Sequence, residues 1–247
     1  LETTSLDAMK AKLVGIALSL TPAEAYYIPV GHGPKAQPKA GEQASLFDLG
    51  EQSLETPPQQ LELAAVQAEL APLLADPAIT KYMHNAKFDM TVLERHGLPV
   101  EPPIYDTMIA SWLGDNAQGS RHGLKDLTKE KLNIQMTEIK ELIGSGKKQL
   151  TMDQITVEKV TPYAGADVDM TLRLAEIVEK PLRADQGQLW QIFQQLELPL
   201  IYVLKDMELA GIKLDTDALR QMSAQMSRRL AELEQQIHQS AGMEFNI

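Results

Sequence analysis

Four short patterns in this chain put carboxylates where they could act on a phosphodiester. They are Glu2-Thr3-Thr4-Ser5-Leu6-Asp7, Asn85-Ala86-Lys87-Phe88-Asp89, Asp106-Thr107-Met108 and Tyr163-Ala164-Gly165-Ala166-Asp167-Val168-Asp169. In the last, Tyr163 and Asp167 are one helical turn apart and share a face. A phenol beside a carboxylate can orient a water that a cation on the carboxylate activates. Two-metal hydrolysis needs several converging carboxylates, two cations about 3.5–4 Å apart and an aligned water. Mg²⁺ and Mn²⁺ prefer oxygen ligands, and the chain offers 34 Asp and Glu with 0 Cys. Each pattern also has a plainer reading. Asp89 or Asp106 can cap a helix, Tyr163 and Asp167 can share a surface hydrogen bond, and Glu2 can be an exposed strand residue.

The elements that must position these groups can be read from periodicity. Residues 11–20 form an apolar-rich run that fits a strand buried on most of its surface. Thr21-Pro22-Ala23-Glu24 is a turn, and 25–30 reads as the second strand of a hairpin. Residues 31–60 are rich in Gly, Pro and polar side chains and read as a flexible insertion with one apolar island, Leu46-Phe47. Helical spacing returns at about Gln60, and 79–83 is a short strand. A helix bearing Phe88, Val92 and Leu93 is closed by Gly97, and Asp106 caps the next. Strands alternating with helices make the class α/β. Residues 124–179 are mainly helical with a break at Gly144-Ser145-Gly146. A boundary is expected at 181–187. Two helices follow, with Pro199 a kink in the first. The second carries the stripe Leu219, Met222, Met226, Leu230, Leu233, Ile237 and has Asp215 as its cap.

Composition narrows the classes. The 247 residues suggest one to two domains. With 44% hydrophobic and 23% charged residues, the chain reads as globular rather than disordered. The lack of Cys excludes disulfides, thiolate-bound zinc or iron–sulfur centres, and a thiol nucleophile. No apolar run approaches a membrane span, and no signal peptide is visible, so a cytoplasmic protein without a membrane partner is expected. A net charge of −11 argues against binding nucleic acid by bulk charge. It is compatible with a metal site, where clustered carboxylates hold cations that invert the sign a phosphate meets.

Taken in order, the motifs resemble the bacterial DNA polymerase I family, over its 3′–5′ proofreading exonuclease domain and the start of the polymerase thumb. LETTSLD resembles the first exonuclease motif, D-x-E-T-x-S-L; HNAKFD the second, N-x3-[FY]-D; YAGAD the third, Y-x3-D. YDTMIASWL, GSRHGLKDL and GSGKKQLT resemble the intervening segments, and LPLIYVLKDMELAGIKLD with EFNI the thumb. The resemblance spans nearly the whole chain except 31–60. It implies a ribonuclease H-like fold, a mixed sheet flanked by helices. The exonuclease domain would span 1–187, with first thumb helices at 188–247. It implies two Mg²⁺ ions, replaceable by Mn²⁺, held by Glu2, Asp89 and Asp167, with Tyr163 orienting the attacking water. Leu6 falls where the family wedges an apolar side chain against the terminal base. Ile139 falls where an aromatic usually stacks on DNA. Asn85 would support the second motif or contact the DNA backbone, and Arg121, Lys147 and Lys148 would contact phosphates or remain solvated.

The resemblance also places the first-motif Asp immediately before Leu1 and the palm and fingers beyond Ile247. A chain with these limits is expected not to polymerise and to be impaired as a nuclease. The implied partners are a DNA 3′ end and the remainder of a polymerase. Separately, Gln43-Ala44-Ser45-Leu46-Phe47 resembles the Q-x-x-L-F peptide that docks on the bacterial sliding clamp; the plainer reading is that Leu46 and Phe47 tuck onto their own domain. The competing reading is a silent, exonuclease-like scaffold. A free-standing RNA-trimming nuclease is disfavoured by the thumb signature.

Overall fold

A computed structural model describes residues 1–33, 59–115, 121–146, 149–184 and 186–247. The first strand, β1 (Glu2–Thr3), pairs antiparallel with β2 (Leu13–Leu18), which pairs antiparallel with β3 (Tyr26–Pro29). Then come α1 (Leu63–Ala75), β4 (Lys81–Met83), α2 (Ala86–Arg95), β5 (Ile104–Asp106) and α3 (Thr107–Gly114), with β4 and β5 parallel. Antiparallel and parallel pairing are thus both present, as the mixed-sheet reading required. Among the described residues they lie in two hydrogen-bonded ladders rather than one continuous sheet.

Strand β2 is buried on both faces, which is why its sequence is a continuous apolar run. Leu13 and Ile16 join the cluster made with α1 and α2. Val14 and Ala17 pack against α5 (Ile139–Ile143) and α6 (Val157–Ala184). A short helix, α4 (Leu124–Leu127), runs into a π turn at Thr128–Leu132 between α3 and α5.

Helix α6 organises much of the rest. Its buried positions Val160, Ala164, Thr171, Leu174, Val178 and Leu182 recur at three- and four-residue steps except for the two-turn gap between Ala164 and Thr171. Its second half packs against α3, with Tyr105 of β5 and Phe193 completing the cluster.

Helices α7 (Gln188–Ile192) and α8 (Leu198–Ala210) are joined by a π turn at Phe193–Glu197. The turn ends just before Pro199, whose missing N–H would otherwise break the ladder. The chain divides into two compact units, Leu1–Leu209 and Ala210–Ile247. The structure therefore groups residues 188–209 with the first unit, where sequence placed them with the second. Ile201 belongs to the main core cluster, and Lys205 forms an ion pair with Glu94 of α2.

The second unit consists of α9 (Thr216–Ala241) and the residues around it. Asp215 caps it by accepting from the Ala218 N–H at 2.9 Å, and Gly242 ends it at φ 69°. Among the described residues, no helix is long and apolar enough to cross a membrane.

Candidate active site

Each motif carboxylate is delivered by a different element, Glu2 by β1, Asp89 by α2 and Asp167 by α6. Glu2 lies on β1, opposite Gly15 of β2, and is buried. A side chain at Gly15 is impossible without movement: its Cβ would fall 2.1 Å from the Tyr27 hydroxyl. The Tyr27 ring therefore lies across the strand where Gly15 leaves room, and its pKa is pushed up by burial and by the charge of Glu2. The hydroxyl is held by His32, whose Nδ1 is 2.9 Å from the Ile155 carbonyl and whose Nε2 is 2.7 Å from the Tyr27 oxygen. With Nδ1 donating to the carbonyl, Nε2 accepts and Tyr27 donates. This pair, half-buried at Tyr27 and buried at His32, forms a wall beside Glu2.

Asp89 sits in the first turn of α2. That turn is held by Asp106, which is 1% exposed. The Asp106 carboxylate accepts from the N–H groups of Ala86 at 2.7 Å and Asn85 at 3.3 Å, and from Met108 at 2.8 Å and Ile109 at 3.2 Å. One carboxylate thus caps both α2 and α3. The plainer reading of Asp106 as a helix cap is the one realised. Asn85 adopts a left-handed φ of 66°, which turns the chain from β4 into α2, and its side chain is exposed. The Leu1 nitrogen lies 3.8 Å from Asp89 Oδ1, which puts the start of β1 against α2.

Asp167 occupies a position on α6 where the apolar stripe would continue, between Ala164 and Thr171. Its Oδ1 is buried with no hydrogen-bond partner. Tyr163 lies one turn earlier. Its hydroxyl accepts from Lys125 Nζ at 3.1 Å, and the ammonium also stands 4.7 Å from the ring centroid.

These groups lie near enough for their charges to act on one another. Glu2 is pushed up to about 7, by burial first, with Asp167 and Asp89 adding to the rise and the Leu1 ammonium and Lys125 opposing it. Asp167 is pushed up to about 6 by burial, with Asp89 adding and Lys125 and the Leu1 ammonium opposing. Asp89 is raised by burial and by Asp106 against the Leu1 ammonium. The Tyr163 phenol is raised by burial, then by Asp167, Glu2 and Glu138. Burial and mutual repulsion therefore disfavour the charged forms of these carboxylates until a cation offsets them.

Among the described residues, no three acidic or His side chains close into a ready-made metal cage. The donor set nonetheless fits a hard divalent cation: three carboxylates that repel one another, one with an orphaned buried oxygen.

The remaining sequence-selected residues line the outside. Leu6 is 92% exposed and Ile139 is 41% exposed. Arg121 is exposed, 3.8 Å from Asp126. Lys147 and Lys148, and the clamp-like Gln43, Leu46 and Phe47, lie outside the described residues. Sequence reasoning missed Lys125 and the Tyr27–His32 pair. Nothing in a lone Lys on a four-residue helix signals proximity to residue 163. The break in the α6 stripe at Asp167 was a usable signal.

Comparison with known proteins adds a lineage to this geometry. Residues 1–183 match the family described as 3′–5′ exonuclease. The whole chain aligns with the DNA polymerase I of Chloroflexus aurantiacus at 40% identity, covering 23% of that protein. It aligns with that of Pseudomonas aeruginosa at 34%, covering 25%. The chain thus spans about a quarter of the length of these relatives. Among solved structures, Brucella melitensis NrnC with bound Mg²⁺ matches with a TM-score of 0.57 at 23% identity, over 87% of this chain and 86% of that one. The POL domain of Pol1 from M. smegmatis, in complex with DNA primer-template and dNTP, matches at 0.59 and 20%, over 96% of this chain and 32% of that one. At these identities the structural matches speak for the fold.

Proposed function

Because the chain belongs to the 3′–5′ exonuclease family found in DNA polymerase I, we propose that its carboxylate pocket hydrolyses the terminal phosphodiester at the 3′ end of single-stranded or frayed DNA. The reaction would release deoxynucleoside monophosphates, and its role would be proofreading. The observation that carries the reading is the orphaned buried oxygen of Asp167, on a helix otherwise apolar at that phase, sharing a pocket with Glu2 and Asp89.

Glu2, Asp89 and Asp167 would hold two Mg²⁺ ions, with Mn²⁺ able to replace them. When bound, such ions supply positive charge that acidifies a water and steadies the leaving 3′ oxygen. The chain's own residues do the rest. Tyr163, kept protonated by its surroundings, offers an O–H to align the water. Leu6, projecting into solvent, would wedge against the terminal base, and Ile139, partly exposed, would pack on the DNA without the stacking of a ring. Arg121 and Asn85, both exposed, would meet the backbone of the strand. An aspartate directly ahead of Leu1 would emerge beside Asp89, given the 3.8 Å between the Leu1 nitrogen and that carboxylate.

The test uses a 5′-labelled single-stranded oligonucleotide, Mg²⁺ and the chain carrying an aspartate ahead of Leu1, beside its Asp89→Ala, Asp167→Ala double variant. Stepwise shortening from the 3′ end only in the first supports the reading. No shortening in either leaves the silent-scaffold reading.

A further inference from the structure

Among the described residues, Lys125 is a side-chain cation whose charge reaches both Glu2 and Asp167. It sits on α4, and its Nζ donates to the Thr137 carbonyl at 2.6 Å and to the Tyr163 hydroxyl at 3.1 Å. The same ammonium lies 4.7 Å from the centre of the Tyr163 ring. Two anchors from different segments therefore fix where the ammonium stands, and the ammonium fixes where the phenol oxygen stands.

The consequence is one of direction. A phenol has one O–H and can accept at its oxygen. Left alone, Tyr163 could turn its O–H onto Asp167, one turn along the same helix face. That would take both the hydroxyl and the carboxylate out of service. Here the Asp167 Oδ1 has no partner, and the Tyr163 oxygen is drawn to α4 instead. With Lys125 on its acceptor side, the phenol keeps its O–H free to donate elsewhere, and the Asp167 Oδ1 stays open.

We propose that Lys125 is a positioning residue for the hydrolytic step, acting through Tyr163: its ammonium holds the phenol oxygen so that the O–H addresses the attacking water rather than Asp167. The proposal rests on the exonuclease reading for its catalytic meaning, and on the contact itself for its geometry.

The two are tested separately. For the contact, the full chain is labelled with 3-fluorotyrosine, and the Tyr163 fluorine resonance is identified by its loss in Tyr163→Phe among the 6 tyrosines of the chain. Lys125→Met should move that resonance and leave the other five in place. An unmoved Tyr163 resonance overturns the proposal, and movement of all of them marks a general change of fold and overturns it too. For catalysis, the chain carrying an aspartate ahead of Leu1 is assayed on single-stranded DNA. Lys125→Met should lower kcat about 10- to 100-fold, the range seen when a group supporting a reacting residue is removed, with KM changed less than about threefold. Lys125→Arg should recover part of the loss. Adding Lys125→Met to Tyr163→Phe should cost less than about twofold more, because residues acting through one another are not additive. Additive losses, or a loss confined to KM, would mean that Lys125 touches DNA directly and would overturn the proposal. If the unsubstituted protein cleaves nothing while the fluorine shift is present, the exonuclease reading has failed and the contact has not.

Discussion

Replacing Glu2 by Gln should stabilise the metal-free protein at neutral pH. Glu2 is buried, and its carboxyl is raised from an ordinary 4.5 to about 7. At about 1.4 kcal/mol per decade of acidity, ionising it inside the fold costs about 3 kcal/mol relative to the unfolded chain. The sign follows from proton binding. Between pH 4.5 and 7 the folded state binds the proton that the unfolded state has released, so stability is greatest below 4.5 and falls as pH rises through 7. Glu2→Gln removes the charge and hence the fall. The variant should match the parent within about 1 kcal/mol at pH 4.5 and exceed it by about 3 kcal/mol at pH 7.5, a readable part of a total near 5–15 kcal/mol. His84, lowered by burial, acts in the opposite direction across this window, but it is present in both proteins and cancels in the difference. Urea unfolding followed by tryptophan fluorescence reports the first unit, which contains both Trp112 and Trp190. Millimolar Mg²⁺ should close the gap at pH 7.5 by stabilising the parent alone. A difference that stays flat from pH 4.5 to 7.5, or a variant less stable at 7.5, would refute the reasoning.

Three further outcomes are expected. Gly15→Ala should cost about 1–3 kcal/mol in urea unfolding, because the new Cβ would meet the Tyr27 hydroxyl at 2.1 Å and that ring is pinned by His32; Tyr27→Ala should relieve most of the clash. Asp106→Ala should cost about 2–4 kcal/mol by the same measurement, since one buried carboxylate caps two helices. Leu6→Ala should leave stability within about 0.5 kcal/mol, as the side chain is 92% exposed, while raising KM for single-stranded DNA in the nuclease assay.

Much of this architecture was legible because local signals agreed. The apolar run of β2 and the hairpin to β3 appear where patterning put them, and so do the caps at Asp106 and Asp215. The membership of residues 188–209 was not legible. Pro181 and Gly187 look like a boundary, yet α6 runs through Pro181 to Ala184, and the α7–α8 segment packs through Phe193 and Ile201 into the first unit's core. Burial by distant partners leaves no mark in local spacing. The site divides the same way. Asp167 breaks an apolar stripe and Tyr163 stands one turn before it, so both could be found on one helix. The Tyr27–His32 wall and the Lys125 contact join residues 5 and 38 positions apart through tertiary placement alone.

The central claim is that Glu2, Asp89 and Asp167 together make a site for hard divalent cations. Crystals of the chain carrying an aspartate ahead of Leu1, soaked in Mn²⁺ and measured at the manganese absorption edge, test it directly. The account predicts anomalous density bounded by those three carboxylates, with the Asp167 Oδ1 among its ligands, and lost in Asp167→Asn. Manganese bound elsewhere on the protein, with the three carboxylates bare, would contradict it.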